Sequence, residues 1–137
     1  MQNKRVVVTG IGAITAFGRT WSEVRSAFEQ KQNAVRNMGW NDKYPELEAQ
    51  LGAPLPNYNP PSHWTRKQLR SMGRVSQLCV DAAEQALANA GLLNDGEVSP
   101  LIKNGNMGVA SGSSTGSTAD VRDMAELLMT GKSDTFN

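Results

Sequence analysis

The sequence predicts an α/β fold, with helices laid over a mostly parallel sheet, and three stretches carry that prediction. The first is Lys4-Arg5-Val6-Val7-Val8-Thr9-Gly10-Ile11-Gly12-Ala13-Ile14-Thr15-Ala16-Phe17-Gly18, a β-branched run that passes into spaced glycines. The second is a long alanine-bearing pattern of helical period between Thr65 and Gly91. The third, from Met107 to Ser117, is a short apolar run entering a loop of small residues ahead of another helical pattern. In order, the chain reads as one β-α unit, a packed irregular stretch, and then α-β-α.

Three successive valines without polar alternation suit a strand buried on both faces, as in a parallel sheet covered by helices. Gly10, Gly12 and Gly18 end it, since glycine reaches backbone conformations closed to other residues. Thr20-Trp21-Ser22-Glu23 has the form of a capping box, and the helix it opens is expected from about Trp21 to Gln30, with Trp21, Val24 and Phe28 on one face. From Lys31 to Ser62 the chain is rich in Asn, Gly and proline, including the Pro60-Pro61 pair, so no continuous element is expected. Glu46 to Leu51 is a candidate helical turn. Trp40, Tyr44, Leu47, Leu51 and Tyr58 make the stretch a packed excursion, because that much aromatic surface docks on a core.

Thr65-Arg66-Lys67-Gln68 repeats the capping-box pattern. Met72, Val75, Cys79, Ala82, Ala83, Ala86 and Ala90 then recur at helical spacing until Gly91 supplies a stop, which predicts one long helix with a small-residue face open to close packing. Arg66, Lys67, Arg70 and Arg74 gather in its first turns, where cations oppose the helix macrodipole; this suggests that something other than helix stability placed them. Asn94 to Gly105 is turn-rich. Met107 to Ser117 reads as a second short strand running into a loop of small residues, and Ser117-Thr118-Ala119-Asp120 starts a third helix with Val121, Met124, Ala125 and Leu128 on its core face and Gly131 as its stop.

A length of 137 residues suits one domain able to bury a core. With a formal charge of +1, the totals imply no extended nucleic-acid or membrane-binding footprint. One cysteine rules out an internal disulfide, and one histidine beside it cannot complete a structural zinc site; a reducing cytoplasm is the expected compartment. Lys4 and Arg5 ahead of an apolar run mimic a secretory signal. Thr9, Gly10, Gly12 and Thr15 interrupt that run, no small-residue cleavage site follows, and a strand is the better reading. No stretch approaches the roughly 20 apolar residues of a membrane span, so a soluble protein is expected.

The opening glycines admit two readings. A dinucleotide fingerprint requires G-x-G-x-x-G at the helix start and an acid about 20 residues on, at the end of a second strand. Gly10 and Gly12 fit, but Thr15 stands where the third glycine belongs, and Gln32 to Met38 offers neither strand nor acid. The other reading is a resemblance. Arg5-Val6-Val7-Val8-Thr9-Gly10-Ile11-Gly12, Gly18, the Trp21 helix, Thr65-Arg66-Lys67-Gln68-Leu69-Arg70-Ser71-Met72 before an alanine-rich helix, and Gly108-Val109-Ala110-Ser111-Gly112-Ser113 together resemble, in order and spacing, the β-ketoacyl-acyl-carrier-protein synthases, condensing enzymes of the thiolase fold. The Gly112 to Thr118 loop and the proline-rich stretch look closer to a ketosynthase of the aryl-polyene, type II kind than to a housekeeping elongation enzyme.

The resemblance implies that residues 1–137 are the amino-terminal portion of a thiolase-like domain, a layered α-β-α-β-α arrangement that is incomplete here. The enzyme implied is a cytoplasmic, homodimeric acyltransferase needing no cofactor. A cysteine thiolate at a helix start would take the acyl chain, and two histidines would assist decarboxylation of a malonyl thioester. Cys79, mid-helix between Leu78 and Val80, reads instead as a core residue, and His63 as a surface or packing residue; no catalytic residue is assigned, and this chain alone is expected to be inactive. Carried over by position, Arg66, Lys67 and Arg70 would face the acidic acyl carrier protein, with Ser71 departing from the family's further base. Thr115 falls at the position of a residue gating the acyl pocket. For the cations the plain alternative is a solvated face, and for Thr115 an ordinary loop threonine. Two other functions stay open: a small anion- or phosphate-binding module using the Gly112–Ser117 loop, and a nucleic-acid binder using Arg66 to Arg74, against which stand the near-neutral charge and the lack of interleaved aromatics.

Overall fold

A computed structural model describes residues 5–55 and 57–132, so Lys4 of the opening stretch lies outside the described residues. The chain forms two compact units, one made of Met1–Gly12 and Pro60–Asn137, the other of Ala13–Asn59.

The smaller unit opens with a tight reversal in which Thr15 and Gly18 exchange backbone hydrogen bonds of 3.0 and 3.2 Å, and Gly18 takes a φ of 143° that side chains disfavour. Helix α1 (Trp21–Glu29) follows from the expected capping box: the Thr20 hydroxyl accepts the Glu23 N–H, and Glu23 Oε2 accepts the Thr20 N–H at 2.8 Å. Its inward face differs from the expected one. Val24 and Ala27 are buried, whereas Trp21 is exposed and Phe28 meets Phe17 edge-on at 5.9 Å. Between α1 and Asn59 the ordered pieces are small. Strand β1 (Arg36–Asn37) pairs antiparallel with β2 (Leu51–Gly52), around a 3-10 turn at Trp40–Asp42. The helical turn expected at Glu46 to Leu51 is absent; it falls earlier, where Gly39 in the left-handed region starts the 3-10 turn. Of the aromatics expected to dock, Trp40 and Tyr58 are half-buried and Tyr44 is exposed.

In the larger unit the long helix is broken in two. Helix α2 (Arg66–Arg70) ends at Ser71, and α3 (Arg74–Asn89) restarts from Gly73. The expected small-residue face is present on α3, and the opening glycines lie on it. A Cβ on Gly10 would stand 2.2 Å from the Ala86 carbonyl oxygen, and one on Gly12 would stand 2.0 Å from that of Ala82. These two glycines therefore answer a close approach of backbone to helix and not, as expected from the sequence, an unusual φ. Ile11 fastens the crossing by donating its N–H to Asn89 Oδ1 at 3.1 Å.

Both strands expected to lie inside a sheet are corrected. Val6, Val7 and Val8 form no strand and are 94, 73 and 80% exposed, and among the described residues no strand lies beside them. Met107 to Ser111 is likewise unpaired, with Val109 90% exposed. An all-apolar strand needs neighbours on two edges and two faces, and among residues 5–132 no strand pairs with either run. The pairing that does form is a hairpin of β3 (Leu93–Asn94) and β4 (Glu97–Val98), reversed through Asp95 and Gly96, both at positive φ. Helix α4 (Pro100–Lys103) follows. Helix α5 (Thr118–Thr130) ends at Gly131 as expected, although Val121, Met124 and Leu128 on its apolar stripe are exposed.

Cys79 is also corrected. It is exposed, because its side of α3 borders an open cavity and not packed apolar residues. The side chain that α3 does bury is Asp81, 1% exposed, with Gln85 Nε2 donating to its Oδ1 at 3.0 Å.

Candidate functional site

Helix α2 carries the three cations singled out from the sequence. The Thr65 hydroxyl accepts the Gln68 N–H at 3.3 Å, and Gln68 Oε1 accepts the Thr65 N–H at 2.8 Å, so the start of this one-turn helix is closed by its own side chains. Arg66, Lys67 and Arg70 are exposed and border one shallow concavity with Gln68 and Ser71. Among the described residues none of the three is paired with a carboxylate. Because the helix stops at Ser71, Lys67 and Arg70 sit in its last turn, where the macrodipole favours cations; the opposition expected from one long helix does not arise. Arg74 belongs to α3, beyond the break at Ser71–Gly73.

The residues before α2 hold to α3. Trp64 is buried and donates its indole N–H to Glu84 Oε1 at 2.9 Å, while His63 Nε2 lies 3.1 Å from Glu84 Oε2. His63 thus lies at the surface, as its loop position suggested, with its ring beside the Glu84 carboxylate. Glu84 was invisible to sequence reasoning, since a partner 20 residues from Trp64 leaves no local pattern.

The small-residue loop meets α3 at its other end. Ser111, Gly112, Ser113 and Gly116 border a cavity of about 410 Å³ whose α3 wall includes Val75 and Cys79. Cys79 Sγ lies 3.8 Å from Ser111 Oγ. Thr115 stands exposed in this loop, inside a turn closed by the Gly116 N–H donating to Ser113 Oγ at 3.1 Å. Ser117 Oγ accepts the Val75 N–H at 3.2 Å. The Ser113 and Ser117 hydroxyls each accept a backbone N–H, which knits the loop into the fold. Among the described residues no three His, Cys, Asp or Glu side chains come together as a metal site, and no helix is long and apolar enough to cross a membrane.

The fold class comes from the likeness to a solved β-ketoacyl synthase, which makes this a thiolase-like α/β protein. The sequence pattern described as "Beta-ketoacyl synthase, N-terminal domain" matches residues 3–135, and the chain belongs to that family. It is 34% identical over 100 residues to 3-oxoacyl-[acyl-carrier-protein] synthase 2 of Staphylococcus aureus (strain N315), a match covering 69% of this chain and 23% of that protein. With Nodulation protein E of Rhizobium leguminosarum bv. trifolii the identity is 34% over 96 residues, covering 68% of this chain and 23% of that one. The crystal structure of a β-ketoacyl synthase from Burkholderia phymatum STM815 superposes with a TM-score of 0.86 at 44% identity, over 98% of this chain and 32% of that chain. The chain therefore spans about a quarter to a third of the length of these relatives.

Proposed function

We propose that this sequence is the leading portion of a β-ketoacyl-acyl-carrier-protein synthase, residues 1–137 forming the amino-terminal part of its thiolase-like domain. The reaction is the decarboxylative Claisen condensation of an acyl thioester with malonyl-acyl-carrier protein, in fatty-acid or polyketide-type biosynthesis. The observation that carries this reading is the likeness, over 98% of the chain at 44% identity, to a solved β-ketoacyl synthase. The working enzyme is a cytoplasmic homodimer whose macromolecular substrate is the acyl carrier protein, with neither nucleic acid nor membrane as partner.

Within that enzyme this portion supplies docking and pocket wall, not the reacting groups. A condensing nucleophile needs its thiolate at a helix start, and Cys79 lies inside α3; decarboxylation needs two histidines, and the single His63 is held by Glu84. Arg66, Lys67 and Arg70 give the acidic carrier protein an exposed cationic turn, and Thr115, in the loop beside the 410 Å³ cavity, takes the gating position of the acyl pocket. Reading the messenger sequence past the codon for Asn137 tests the proposal. A cysteine within an Ala-Cys-Ser/Thr element a few tens of residues on, with two later histidines, is expected. A stop codon directly after Asn137 contradicts it.

A further inference from the structure

A helix of five residues cannot hold itself together in water, and the break at Ser71–Gly73 denies α2 the support of continuity with α3. Side chains of α3 tie it down at both ends. At the front, the two oxygens of the Glu84 carboxylate engage the two residues leading into the Thr65 cap: Oε1 takes the Trp64 indole N–H at 2.9 Å, and Oε2 lies 3.1 Å from His63 Nε2. At the rear, Gln77 Nε2 donates to the Met72 carbonyl at 2.9 Å. The front anchor is the stronger of the two, because its acceptor is a carboxylate and the donor it satisfies belongs to a residue only 7% exposed. A buried indole N–H deprived of its acceptor is costly, so the Trp64 ring cannot keep its seat once the carboxylate is gone.

We propose that Glu84 is a positioning residue for the cationic turn: by gripping His63 and Trp64 it fixes where α2 begins, and with it the direction in which Arg66, Lys67 and Arg70 are offered to the carrier protein. The inference rests on the docking role proposed above. Glu84 touches no substrate in this scheme. It acts only through the residue pair ahead of the cap.

Amide exchange in α2 and binding of an acidic acyl carrier protein, both measured on the full-length enzyme proposed above, test it. Glu84→Ala should speed exchange of the Leu69 and Ser71 amides about tenfold, the size expected for losing a charge-assisted bond, while amides inside α3 hold. Carrier-protein affinity should fall with it. Glu84→Gln keeps an acceptor for the indole and should restore most of both. Trp64→Phe, which keeps an aromatic ring in the seat but removes the donor along with part of the ring, should raise α2 exchange at least as much as Glu84→Ala. Unchanged α2 exchange in Glu84→Ala overturns the proposal, as does a uniform rise across α2 and α3 that Gln fails to rescue. If the native enzyme does not bind the carrier protein at all, the docking role falls, and the exchange data alone decide whether Glu84 positions α2.

Discussion

Ser117 caps a helix that is not its own: its hydroxyl accepts the Val75 N–H at 3.2 Å, from 42 residues further along the chain. Helix α3 starts at Gly73, which has no side chain to cap with, and α5 takes no side-chain cap from Ser117. A Cβ on Gly73 would stand 2.5 Å from Ser117 Oγ and 2.4 Å from Asp120 Oδ2, so glycine is what lets the two helix starts approach. Ser117→Ala should cost about 1 kcal/mol, as losing a helix cap does, and should speed exchange at the Val75 amide. Gly73→Ala should cost more, since the Ser117 and Asp120 side chains must move. Chemical denaturation with amide exchange reads both; native-like exchange at Val75 in Ser117→Ala contradicts the capping role.

The glycine turn makes a second prediction. Gly10→Ala and Gly12→Ala each drive a methyl group against a backbone carbonyl of α3, at 2.2 and 2.0 Å, where no side-chain rotation gives relief. Each should destabilise by about 1–3 kcal/mol, the usual cost of overpacking. Gly108→Ala, with nothing within 4 Å of the added carbon, is the control and should leave stability within about 0.5 kcal/mol of native. Equal effects at all three positions would mean that the packing of the turn on Ala82 and Ala86 is wrong.

Local signals were legible in the sequence where a residue's partner lies within one helical turn. Both capping boxes, at Thr20–Glu23 and Thr65–Gln68, and the stops at Gly91 and Gly131 formed as their residue types dictate. Readings that depended on distant partners did not transfer. Val6 to Val8 have the composition of an interior strand, but composition cannot supply neighbours; Cys79 shares a helical stripe with Ala82 and Ala86, yet the stripe is covered at its far end only. Two local signals went unread above: Gly73 inside the helical pattern, where the helix breaks into α2 and α3, and the Asp95-Gly96 turn dipeptide, where the β3–β4 hairpin reverses. Of the candidate site, the cations and the small-residue loop could be read from sequence; Glu84 and the Ser117 cap could not, because each acts across 20 residues or more.

The start of α1 should respond to acid. Glu23 is held below the usual carboxylate range chiefly by the Thr20 backbone N–H, then by that of Arg19, both donating to its carboxylate at 2.8 Å. A depressed folded-state pKa means that the capping stabilisation is fully present above the ordinary glutamate value of about 4.3 and is lost as pH falls through the lower folded value. Amide shifts of Arg19 and Thr20 followed by NMR should therefore titrate together below that ordinary value, and Glu23→Gln should abolish the transition. A midpoint at or above it would contradict the capping geometry.

Exposed apolar surface predicts how the isolated chain behaves. The unpaired valines of residues 6–8 and the α5 stripe, with Leu128 78% exposed, present an open apolar run and an apolar helix face of the kind that recruits other chains. Sedimentation velocity should find the 137-residue chain self-associated or expanded. A compact, monodisperse monomer that unfolds cooperatively would contradict this.

Carrier-protein binding tests the proposed role of α2 most directly. An acidic acyl carrier protein, labelled for fluorescence anisotropy, is titrated with the full-length enzyme, native and as a Lys67→Glu, Arg70→Glu double variant, across a series of salt concentrations. Both residues are exposed and neither is paired with a carboxylate among the described residues, so the reversal breaks no ion pair, and a Lys67→Gln, Arg70→Gln variant, which puts no anion in the last turn of α2, controls for helicity. The native enzyme should bind more weakly as salt rises, and the Glu double variant should lose affinity at least about tenfold at low salt, with a flattened salt dependence. Equal affinities with equal salt slopes for the two would contradict the assignment of Arg66, Lys67 and Arg70 as the docking surface.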